Sequence, residues 1–136
     1  MILRRFEAAD GAAILSWIKD EREFRMWSAD RFGDYPSAPE KIAAHHEICS
    51  QSGSFFPLTA VDEVGNVVGH LILRYTDDEK TEVRFGFVIV DSSKSAQDIV
   101  LALVDDVGLA EILDIEDGVC GCSCSHIHGN SPFLCW

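Results

Sequence analysis

Positive charge is scarce in this sequence. Eleven Lys and Arg face 23 Asp and Glu across 136 residues, for a net charge of −12. Neutralising nucleic-acid phosphates needs clustered Lys and Arg, so this balance excludes nucleic acid as a partner, and an anionic membrane surface with it. No run of about eighteen apolar residues occurs, which excludes a membrane-spanning helix. The opening, Met1-Ile-Leu-Arg-Arg-Phe-Glu7, sets its apolar residues ahead of the arginines and lacks a following apolar core with a cleavage site, so it does not read as a signal peptide. Cysteine is sparse and uneven: Cys49 stands alone, and Cys120, Cys122, Cys124 and Cys135 crowd the C-terminal end. An odd count without a secretory signal fits a reducing cytoplasm better than a disulfide framework.

A hydrophobic share of 47% and a charged share of 25% describe one soluble globular domain over residues 1–136. A short strand is predicted near 3–6, then a helix over 11–19 capped by Asp10, with Ala13, Ile14, Trp17 and Ile18 on one stripe. Residues 21–32 read as a second helix with Phe24, Met26 and Trp27 toward the core. A third helix starts at Ser37, where Ser37 and Glu40 form a capping-box pattern and Pro39 sits in the first turn. Residues 55–62 form a strand in which Pro57 is tolerable only near the start or on an edge. A tight turn over 63–66 leads into a strand over 67–75, and a polar loop leads into another over 81–90. Ser95 to Asp98 is a cap-like start, and apolar residues from Ile99 to Leu113 follow at helical spacing.

Three segments carry a family resemblance: Leu3-Arg-Arg-Phe-Glu-Ala-Ala-Asp10, Val68-Gly-His-Leu-Ile-Leu73 and Val83-Arg-Phe-Gly-Phe-Val-Ile-Val-Asp91. In their order of strand, helices, three antiparallel strands and helix, the first 93 residues resemble the GNAT superfamily of N-acetyltransferases, in particular its ribosomal-protein-acetylating branch. The resemblance implies an α+β fold, a mixed and mostly antiparallel sheet flanked by helices. It implies transfer of acetyl from acetyl-CoA to a primary amine, on a small molecule or a protein N-terminus, and leaves a homo-oligomer open. By position, Phe87, Val88, Ile89 and Val90 would pair their backbone with the pantetheine arm, as a peptide adds to a sheet edge. The same residues also read as a strand buried on both faces. Lys94 and Ser95 would hold the phosphate end at a helix start, a stretch that reads equally as a capped helix. Arg84 stands where the family often places a catalytic Glu, so Glu82, on the same strand face, is the candidate base; its plain reading is a solvated edge carboxylate.

The sequence departs from that pattern after Ser93. The family's Arg/Gln-x-x-Gly-x-Gly/Ala loop is replaced by Lys94-Ser-Ala-Gln-Asp-Ile99, with no glycine before Gly108 and with Asp98 where a phosphate would lie. The only tyrosines are Tyr35 and Tyr75, so the late Tyr acid is missing. A frameshift after the second long strand would account for these departures together. The alternative to an enzyme is therefore a catalytically impaired or frameshifted remnant, acting as an interaction domain through Phe133, Leu134 and Trp136. Cys120, Cys122, Cys124, His126 and His128 alternate, but an extended strand spreads them over about 26 Å, too far for one ion without a bend, and no metal site is assigned. Cys49 and His45 share a helical face, which reads as packing rather than catalysis for want of an orienting acid, and His70 reads as a satisfied sheet residue.

Overall fold

The computed structural model describes residues 1–95, 97–99 and 102. Its elements run β1 (Ile2–Arg5), α1 (Asp10–Ser16), α2 (Glu21–Ser28), α3 (Pro39–Ser50), β2 (Phe55–Val61), β3 (Val67–Tyr75) and β4 (Val83–Val90). The strands form one sheet in the order β1-β2-β3-β4, and every described pairing is antiparallel. The α+β architecture matches the expectation, and the sheet is purely antiparallel among the described residues. Of the predicted helix from Ile99 onward, Ile99 and Ala102 are described and both are helical; its other residues and the Cys/His tail lie outside the described residues.

The two faces of the sheet have separate cores. Leu58, Ala60, Leu71, Leu73, Val88 and Val90 pack on one face, joined by Ile99. Ile89 on the other face meets Ile14, Ile18, Phe24, Trp27, Phe32 and Ile42 from α1, α2, α3 and the segments flanking them. Gly69 permits the first packing, because a Cβ there would lie 1.9 Å from Ile99 Cδ1. The turn between β2 and β3 is fixed by Asp62, whose carboxylate accepts from the Val64 and Asn66 backbone amides while Gly65 takes φ +89°.

Several local expectations are corrected. Asp10 begins α1 instead of capping it, and is 4% exposed. Its carboxylate takes two hydrogen bonds from Arg4 at 2.8 Å, one from Thr59 at 2.8 Å and one from the Glu7 amide at 2.9 Å, so its partners are on β1, β2 and the connecting turn. The true side-chain cap is Asp20, which accepts from the Glu23 amide at the start of α2. That helix stops at Ser28, where Ala29 and Asp30 turn left-handed, and Met26 is 46% exposed. Ser37 makes no capping box, because its hydroxyl donates to the Phe32 carbonyl. Pro57 meets its expectation by the first alternative: it is the third residue of β2, near the start of an interior strand. Its carbonyl accepts from Phe6 just past the end of β1, so its missing N–H falls on the β1 side and leaves the pairing with β3 intact.

Candidate functional site

A bulge in β4 sets the site. Ile72 pairs with Gly86 and His70 with Ile89, so Leu71 faces two residues, Phe87 and Val88. Phe87 adopts φ +48°, a left-handed conformation that costs a non-glycine residue about 1–2 kcal/mol. Two contacts offset that cost. The Trp27 indole donates to the Phe87 carbonyl at 2.8 Å, and the Phe87 ring stands 5.0 Å from Phe32 and 6.2 Å from Trp27, centre to centre. Without the extra residue, strand alternation would point Phe87 to the face of Val83 and Phe85. The bulge moves its ring to the face of α2 and α3.

Past the bulge, the Asp91 amide donates to Val68, so alternation turns the amides and carbonyls of Val88 and Val90 away from β3. No described strand pairs with that edge. Of the four residues expected to meet a pantetheine arm, Val88 and Val90 thus present their backbone outward, Ile89 pairs with β3, and the Phe87 carbonyl is held by Trp27. Farther on, Ser95 and Asp98 satisfy each other: the Asp98 carboxylate accepts from the Ser95 amide at 3.0 Å, and the Asp98 amide donates to the Ser95 hydroxyl at 3.2 Å. The Ser95 backbone amide and then the Ser95 side chain hold the Asp98 carboxyl below its usual pKa, with a further contribution from Lys94. A carboxylate therefore occupies the start of the next helical segment.

Ahead of the bulge, residues 84–87 wall a cavity of about 550 Å³ between the C-terminal half of α3, the end of β3 and the turn after α2. Phe87, Trp27, Phe55 and Tyr75 supply apolar surface, and Arg31, Arg74 and Arg84 supply charge. Glu82, the expected base, is exposed and lies outside this lining, with its carboxylate 3.0 Å from Arg84 Nε.

Sequence reasoning set His45, Cys49 and His70 aside, and the structure brings them, with His46, into one chain. Cys49 Sγ lies 3.6 Å from His45 Nε2, His45 Nδ1 lies 3.4 Å from His46 Nδ1, and His46 Nε2 lies 3.1 Å from His70 Nε2. His45 and Cys49 line the cavity, while His46 and His70 are buried under Phe6. Burial pushes His46 down to about 2, assisted by the neighbouring histidines. Burial also pushes His70 down to about 4, against the opposing pull of the Leu58 carbonyl and Asp10. Burial and then the nearby Arg31 charge lower His45. All three rings are neutral at pH 7. Each contact then needs one donor and one acceptor, so the tautomers are linked. His70 Nδ1 has no hydrogen-bond partner among the described residues, and a proton placed there sets the direction of the whole chain. In that direction the lone pair of His45 Nε2 faces Cys49 and the cavity. The spacing of His45 and Cys49 was the only trace of this in the sequence; the meeting of His46 with His70 is tertiary.

No family profile matches the sequence, and no curated protein matches it significantly. Solved structures do match. Spermidine N-acetyltransferase from Vibrio cholerae, in complex with CoA and spermine, aligns with a TM-score of 0.53 at 14% identity over 75% of this chain. A chimera of that Vibrio cholerae enzyme with hSSAT aligns with a TM-score of 0.56 at 13% identity over 85% of this chain. The chain spans 57% and 64% of those structures' own lengths, less than two thirds of either. At such identities the likeness speaks for architecture: an antiparallel sheet with its helices, built as in the GNAT N-acetyltransferases.

Proposed function

We propose that this chain is an N-acetyltransferase-like protein that transfers acetyl from acetyl-CoA to a primary amine. The bulge at Phe87 carries the reading. It joins an outward-facing strand edge at Val88 and Val90, suited to a pantetheine arm, to a cavity suited to an acceptor. The neighbour that holds CoA and spermine supports a CoA-type donor and a small-molecule amine acceptor; a protein N-terminus, as in the ribosomal-protein-acetylating branch, is the other acceptor of this class. Lys94 and Ser95 stand at the phosphate end. Two groups are candidates to take the amine proton: His45, which lines the cavity, and Glu82, which lies outside it beside Arg84. Incubation with acetyl-CoA and a panel of amines and N-terminal peptides, read by mass spectrometry, should give a mono-acetylated product. Loss of the working base should lower kcat about 10²- to 10⁴-fold, so His45→Gln and Glu82→Gln separate the two candidates.

A second reading is favoured by Asp98. Its carboxylate already holds the Ser95 amide and repels an incoming phosphate. On this reading the chain is an impaired remnant that acts as an interaction domain. Calorimetry decides: no heat with acetyl-CoA at millimolar concentration, together with no product from any amine, leaves only the remnant.

A further inference from the structure

The cavity has a charge opposite to that of the protein around it. Acidic residues outnumber basic ones 23 to 11 in the sequence, yet among the described residues the cavity lining holds Arg31, Arg74 and Arg84 and not one Asp or Glu. Arg84 has a carboxylate neighbour in Glu82 outside the lining, an exposed pair of little strength. Among the described residues no carboxylate pairs with Arg31 or Arg74. The three come from separate places: the turn after α2, the end of β3 and the start of β4. Arginines brought from three segments to the wall of one partly apolar space suit an oxyanion, through charge-assisted and often bidentate hydrogen bonds. The same three charges repel a polycation.

We infer that the cavity binds an amine that also carries an anionic group, a carboxylate or a phosphate, and that Arg31 and Arg74 hold that group while Arg84 closes its third side. The molecule's role as acetyl acceptor rests on the transfer proposed above; recognition of its charge does not. With the anion held by the arginines, the amine end points along β4 toward His45 and the bulge, where the lining ends at Phe87.

The test uses three small probes that share a two-carbon amine and differ at the other end: β-alanine, phosphoethanolamine and ethylenediamine. Each is titrated into the full chain without acetyl-CoA, while the Arg Nε–H and Trp27 indole signals are followed by NMR. β-Alanine and phosphoethanolamine should shift these signals saturably and ethylenediamine should not, and the tighter of the two anions names the natural group. Arg31→Gln and Arg74→Gln should each weaken that binding about tenfold, with unchanged circular dichroism, as expected for exposed side chains. Equal or tighter binding of ethylenediamine, no response to either anion, or unchanged affinity in the double variant would overturn the inference. Failure of acetyl transfer with anion binding intact would instead count against the enzymatic reading alone.

Discussion

Phe87 is held in a backbone conformation that its own side chain disfavours, so its neighbours must supply the restraint. Trp27→Phe removes the indole N–H but keeps most of the ring. The Phe87 carbonyl then loses its partner, and stability should fall by about 1–2 kcal/mol in denaturant titration, with faster amide exchange at Val88. Asp10 makes a comparable demand. Burial alone would raise its pKa, but the hydrogen bonds from Arg4, Glu7 and Thr59 outweigh burial and lower it. Asp10→Asn strands the Arg4 guanidinium and should cost about 2–3 kcal/mol, less than a fully buried pair because Arg4 is partly exposed. Neither role was visible in the sequence. Asp10 looked like a cap because Asp before an apolar stripe usually is one, and nothing local showed that Arg4 and Thr59 would converge on it.

Elements were more legible than the residues within them. The strand over 67–75 was read to its exact ends, because a turn-forming Asp-x-x-Gly-Asn precedes an apolar run and a charged loop closes it. The bulge was not legible. Val-Arg-Phe-Gly-Phe-Val-Ile-Val reads as an ordinary strand, and only the partner strand shows that one residue is extra. The site inherited this limit: the backbone edge at Val88 and Val90 was anticipated, whereas the cavity and the histidine chain depend on which face Phe87 and His70 take. Gly69 carries a prediction at this scale. A methyl group there collides with Ile99, so Gly69→Ala should destabilise the chain by about 1–3 kcal/mol and loosen Ile99 from the sheet, seen as a lower thermal midpoint and loss of protection after Ser95.

For the whole molecule, the two buried histidines decide how stability follows pH. Their folded pKa values, about 2 and about 4, lie below the unfolded value near 6.5. The unfolded chain therefore binds more protons below about pH 6.5, and stability falls as pH falls. The loss should approach roughly 1 kcal/mol per histidine for each pH unit between about 6 and 4. Asp10 adds loss in the same direction below its ordinary carboxylate range. Thermal midpoints measured from pH 8 to 4 should stay level above pH 7 and then drop, and His70→Phe should flatten the drop. A midpoint that does not change from pH 7 to 4 would show that these rings are not buried together.

The bulge has one more consequence, for what the sheet requires. Deleting Phe87 outright would bring Val88 opposite Leu71 and leave every other β4 residue with its present partner and on its present face. The sheet is complete without it. A shortened strand would still zip against β3 while losing the aromatic wall of the cavity and the acceptor for Trp27, so scaffold and pocket can be uncoupled by a single deletion.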